Sequence, residues 1–121
     1  MAPPFRSLEK GTQSFVDQAV QVAARTVAEW DKVWKQHAPG RPQPQVDFSR
    51  EMVVGVFAGT RNSAGYSVDI VSAEDQQGTL VVLYREAVPA RGAVTAQIVT
   101  SPYQLVAVPK HDGAVRFEKM E

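Results

Sequence analysis

The strongest hydrophobic signal in the chain is the run 51–58, EMVVGVFA. On an extended backbone Met52, Val54 and Val56 point one way and Val53 and Phe57 the other. Such a run predicts a strand covered on both faces, by a helix or a second sheet. Gly55 in its middle marks a bulge or a close approach by another element. The segment 59–65, GTRNSAG, reads as a loop, and Tyr66, Val68 and Ile70 then alternate with polar neighbours, as in a half-buried partner strand.

Further strands are expected at 80–86, 94–100, 103–108 and 115–117. Turns or loops at 75–78, 88–92, Ser101-Pro102 and 110–113 separate them. Upstream, Pro3 and Pro4 favour an extended start, followed by a short strand around 5–8 ended by Gly11. Residues 14–25 fit both a strand alternation (Val20, Val22, Ala24) and a helical stripe (Val16, Ala19, Val20, Ala23, Val27), with the strand reading preferred.

One helix is expected at 27–37. Thr26 and Glu29 have capping-box spacing, in which each satisfies the other's unpaired backbone donor. Trp30, Val33, Trp34 and His37 follow on one face, and Pro39 and Gly40 stop the helix. The proline-rich 38–45 then leads to the central strand. The expected fold class is α+β and β-rich: a mostly antiparallel sandwich or partly open barrel of about six to eight strands with one packed amphipathic helix. No βαβ rhythm or internal repeat is present, and 1–121 reads as one domain.

Composition narrows the function classes. The 121 residues are 44% hydrophobic and 21% charged, and 13 basic residues balance 13 acidic ones. Without a basic excess or stripe, nucleic acid is not expected as a partner, and zero net charge leaves room for self-association. The absence of cysteine excludes disulfides, thiolate metal sites and a cysteine nucleophile. No apolar run is long enough for a transmembrane helix or a signal peptide's core. The chain as written reads as soluble, with export or a cell-envelope location expected if a leader had been removed.

Candidate chemistry is sparse. Asp47 and Ser49 with His37 or His111 supply the residue types of a hydrolase triad, but no G-x-S-x-G elbow accompanies them. They read instead as a turn and a helix face. No Gly-Lys-Ser/Thr follows the 59–65 glycines, which excludes a Walker loop. The two histidines show no metal-ligand spacing, so neither metal nor cofactor is expected. Pro39 to Pro42 is a formal PxxP with a linking role. The remaining candidates are partner contacts on loops: Arg61, Asn62, Ser63 and Tyr66, joined by Arg85 and Arg91 in a polar rim. The alternative for the first loop is a hairpin turn using Gly and Asn at positive φ.

Several segments recur in a known order. They are Glu29, Trp30 and Trp34 on the helix, VDFSREMVVGVFAG at 46–59, GYSVDI at 65–70, LVVLYRE at 80–86, Pro89 and Gly92, and TSPYQLVAVPK at 100–110. From about Arg25 to Phe117 the chain resembles the C-terminal domain of the PrcB family, subunits of a bacterial surface protease complex. The resemblance implies a small, β-rich, non-catalytic domain, in a family often exported or lipid-anchored, whose named member accompanies a serine protease. The chain as written lacks that member's leader and additional domain. The expected function is therefore a non-enzymatic protein-interaction domain, with an accessory or scaffold role in a protease complex as its specific form. The alternatives are a protease inhibitor presenting loops 59–66 and 88–92, or a β domain binding a small ligand inside the sheet. The partner is expected to be a protein, and the oligomeric state is left open.

Overall fold

The computed structural model describes residues 5–120, so the extended start expected at Pro3 and Pro4 lies outside the described residues. The elements are β1 (Arg6–Gly11), β2 (Val20–Ala24), α1 (Val27–His37), β3 (Glu51–Phe57), β4 (Ser67–Gln76), β5 (Thr79–Ala87), β6 (Tyr103–Pro109) and β7 (Val115–Met120). They form two open sheets, ordered β1-β6-β3-β2 and β4-β5-β7. The first is antiparallel throughout; in the second, β4–β5 is antiparallel and β5–β7 parallel. The architecture is thus a sandwich with a helix outside it, not a closed barrel.

The double-sided apolar pattern of β3 sets this layering. Met52, Val54 and Val56 face the second sheet and pack with Val68, Ile70 and Val82. Val53 and Phe57 face the helix and pack with Trp30, Trp34 and Leu105. Gly55 lies in register between Val22 and Leu105. A Cβ there would come 2.5 Å from Leu105 Cδ2, so the leucine already fills that space. The expected close approach is therefore a neighbouring strand's side chain, not a bulge. Filled with side chains, the space between the sheets does not fit the expectation of a ligand inside them.

Helix α1 occupies the predicted residues. Thr26 Oγ1 accepts from Glu29 N at 3.1 Å. The Glu29 carboxylate accepts from Arg25 N at 2.7 Å, one residue earlier than the reciprocal capping box requires. Trp30 and Trp34 are buried and meet edge to face with ring centroids 5.6 Å apart. Their indole N–H groups donate to Pro44 O at 3.0 Å and Arg41 O at 2.9 Å, strapping the proline-rich connection to the helix. The PxxP stretch is thus part of this strap. Asp47 and Ser49 shape a turn, with Ser49 N and Oγ donating to Asp47 Oδ1 at 3.0 and 2.6 Å.

Three sequence expectations change. Segment 14–25 is strand only at β2. β4 is not the partner of β3: it pairs with β5 and belongs to the other sheet, so the 59–65 loop is a crossover between sheets rather than a hairpin. Its positive φ values fall on Gly59 and Gly65, not on Asn62. Finally, 94–99 carries no strand, and only Thr100 of the expected 94–100 strand pairs, in an isolated bridge with Arg61. The alternation read there belongs to an exposed segment without a neighbouring strand.

Candidate functional site

Two loops named from the sequence form one surface. Arg61 N donates to Thr100 O at 2.8 Å and Thr100 N to Arg61 O at 2.9 Å. Thr100 Oγ1 donates to Ser63 O, and Ala64 N to Ala96 O, both at 3.0 Å. Gly65, at φ +97°, lets side chains of the 88–99 segment pack on the crossover backbone: a Cβ there would lie 2.8 Å from Pro89 Cγ and 3.2 Å from Thr95 Cγ2. An L side chain is disfavoured at that φ as well. The 59–66 crossover therefore supports the long connection from β5 to β6.

An ion cluster fixes the crossover to the second sheet. Arg61 Nε and Nη2 meet Glu86 Oε2 and Oε1 at 2.8 and 3.0 Å, a forked pairing, and Lys119 Nζ lies 3.4 Å from the same carboxylate. The Glu86 side chain is only 8% exposed. Burial pushes its pKa up, but hydrogen bonds and charge from Arg61 and Lys119 outweigh this and hold it below the usual carboxylate value. The Arg61 guanidinium also lies over the Tyr66 ring, 5.7 Å from its centroid.

The other named residues divide. Asn62 is exposed at the loop tip, and Ser63 Oγ donates to Ala64 O. Arg91 is exposed at the corner of a tight turn closed by Ala93 N to Ala90 O at 2.9 Å, with Gly92 at φ +83°. Arg85 does not join the rim. It alternates with Glu86 along β5 and so points to the opposite face of that sheet, and Glu86 is the residue that meets Arg61. What the polar reading missed is the apolar part of the surface. Val88, Val94, Ile98 and Val99 are 63%, 100%, 50% and 65% exposed within this one segment. The sequence pattern predicts a strand at 94–100, whereas these side chains stand exposed on an irregular segment.

A second group of polar residues is buried on the helix side. His37, fully buried, has Nε2 2.7 Å from Glu9 Oε1 and Nδ1 2.7 Å from Ser14 Oγ. Because the carboxylate can only accept, Nε2 carries the proton and Ser14 donates to Nδ1. Tyr103 Oη donates to Glu9 Oε1 at 2.5 Å, and Arg41 reaches the other Glu9 oxygen. Burial pushes the His37 pKa down, and the attraction of Glu9 only partly offsets it. Burial pushes Glu9 up, but hydrogen bonds from Tyr103, His37 and Arg41 bring it below its ordinary value. The order serine, histidine, carboxylate is that of a triad, built from residues other than the Asp47 and Ser49 sketched from sequence. Around Ser14, however, the N–H groups of Ser14, Phe15 and Val16 donate to Ser101 O, His37 O and Ser14 Oγ. All three N–H groups are engaged within the protein. The contacts of this group tie β1, the 12–19 segment, α1 and β6 together. No local motif announces it, because Glu9, Ser14, His37 and Tyr103 come from four separate segments.

His111 is likewise engaged in a turn, with Nε2 2.8 Å from Asp75 Oδ1 and Nδ1 accepting from Gly113 N at 3.0 Å. Among the described residues there is no cluster of His, Cys, Asp and Glu that would hold a metal ion, and no helix long and apolar enough to cross a membrane. An open groove of about 520 Å³ runs between α1 and the proline-rich strap, over Val27, Trp30, Pro44, Val46 and Phe48.

Residues 52–109 match the model of the family described as PrcB C-terminal. The match runs from β3 to the end of β6 and includes both joined loops, a shorter span than the resemblance from Arg25 to Phe117. No curated protein and no solved structure matches the chain significantly.

Proposed function

Over residues 52–109 the chain belongs to the PrcB C-terminal family, and from that premise we propose that it is a non-enzymatic protein-interaction domain. Its specific role, on this reading, is accessory or scaffold subunit of an assembly that contains a protease, with the joined loops as the face that meets the partner. The observation that carries the proposal is the exposure of Val88, Val94, Ile98 and Val99 on a segment whose backbone is fixed to a second loop. Apolar side chains held out on an anchored backbone lose little further freedom on binding, which favours recognition.

The test is a paired capture experiment. The wild-type chain and a variant with Val94, Ile98 and Val99 replaced by serine are immobilised and exposed to extract of the native host. Recovery of a protease or its associated subunit by the wild type, and not by the variant, is expected. Equal recovery by both, or none above a charge-matched control, overturns the reading.

The adjacency of loops 59–66 and 88–92 favours one second reading, a protease inhibitor that inserts Arg91 and the neighbouring loop. It expects inhibition of at least one protease class, reduced by replacing Arg91 or Tyr66. Full activity of serine, cysteine and metalloproteases in the presence of excess chain removes it.

A further inference from the structure

The two sheets have four edges, and one of them differs from the rest. Free strand edges invite pairing with other chains unless charge, bulges or covering elements discourage it. β1 carries Arg6, Glu9 and Lys10 and has a register shift between Ser7 and Glu9. β4 carries Asp69, Glu74 and Asp75 and has a shift between Ile70 and Ser72. β7 carries Arg116, Glu118 and Lys119. β2, by contrast, is Val20-Gln21-Val22-Ala23-Ala24: it has no charge and no proline, and its register with β3 is unbroken. Among the described residues, no backbone hydrogen bond outside the β2–β3 ladder involves 20–24.

The same margin exposes large apolar side chains among the polar Asp17, Gln18 and Gln36. Phe15 and Val20 are 72% and 38% exposed and lie beside an open groove that they line with Val16. We infer that β2 pairs antiparallel with β2 of a second copy of this chain, doubling the four-stranded sheet across a two-fold axis. The edge suits its own copy. With no charge on the strand, self-juxtaposition brings no like charges together, and the chain's net charge of zero adds no long-range repulsion. A two-fold axis through Val22 would set Gln21 of one copy opposite Ala23 of the other and bring the two Phe15–Val20 margins to the same side of the joint.

Sedimentation equilibrium from micromolar to near-millimolar concentration tests the inference. The wild type is expected to be a reversible dimer. Q21K/A23K and Q21E/A23E each place like charges opposite one another across the two-fold, so each is expected to be monomeric. Within one copy these positions pair in register with Val56 and Val54, and Gln21 Nε2 also donates to Tyr84 Oη at 3.4 Å. An equimolar mixture of the two variants is expected to restore the dimer through Lys–Glu pairs. A wild type that stays monomeric at the highest concentration overturns the proposal, as do variants that remain dimeric alone. If either variant fails to fold, hydrogen exchange on the wild type decides: protection of the 20–24 amides must rise with concentration, and a constant rate overturns the proposal.

Discussion

Arg61 and Glu86 form a forked ion pair, 2.8 and 3.0 Å between matched nitrogen and oxygen atoms, which joins the crossover between sheets to the end of β5. The carboxylate is the more buried partner, so the pair is asymmetric. Removing the arginine leaves a mostly desolvated charge with only Lys119 nearby. Arg61→Ala is expected to destabilise the fold by about 2–3 kcal/mol, and Arg61→Lys by less, since it keeps the charge but loses the fork. Chemical denaturation of the three proteins measures both steps.

Stability is expected to fall in acid in two stages. The folded-state pKa of His37 is lowered from its ordinary 6.5, so the unfolded chain binds the proton more readily. The contribution of neutral His37 is present above 6.5 and is lost as pH falls from there toward the folded-state value. Glu9 is lowered from 4.5, and its contribution disappears in the same direction at lower pH. His37→Gln is expected to abolish the first stage and keep the second. Thermal midpoints measured across the acid range resolve the two.

Glycines separate backbone strain from steric conflict. Gly65 and Gly92 both have positive φ, but only at Gly65 would a Cβ meet another residue, Pro89. Gly92→Ala is expected to cost about 1 kcal/mol, and Gly65→Ala about 2–3 kcal/mol together with loosening of the 88–99 segment. Limited proteolysis should therefore cut the Gly65 variant faster within that segment.

Gln104 extends from β6 to the other sheet, where its Oε1 accepts from Ile70 N at 2.6 Å, beside the register shift of β4. Its amide nitrogen donates to Ser7 Oγ at 3.1 Å. Gln104→Leu would leave the Ile70 N–H buried without this partner, at a cost of about 1–3 kcal/mol. Amide exchange at Ile70 is the local readout, and equilibrium unfolding the global one.

The parts of the fold legible in the sequence are those where the pattern has one physical solution. The double-sided apolar run of β3 admits only a covered central strand, and the tryptophan stripe after Thr26 admits only a docked helix. The 94–99 alternation misled because period two reports which side chains share a face, not whether another strand is present to bond the backbone. The partner of β4 was misplaced for a similar reason: a glycine-rich loop says that the chain turns, not which sheet it rejoins. Arg61 was visible as a candidate, but its tie to Glu86 was not, since that contact depends on the crossover. The group around His37 was the least legible, because each member's local sequence fits an ordinary strand, loop or helix.

The position of β6 between β1 and β3 has a consequence for how the chain acquires its structure. During synthesis the first strand has no neighbour to bond until residues 103–109 are available. Among the described residues the β4–β5 hairpin, closed by Gln77 and Gly78 at positive φ, is the only pairing between consecutive strands that lacks a long connection. It is the natural early nucleus, while the four-stranded sheet must await the late arrival of its own centre.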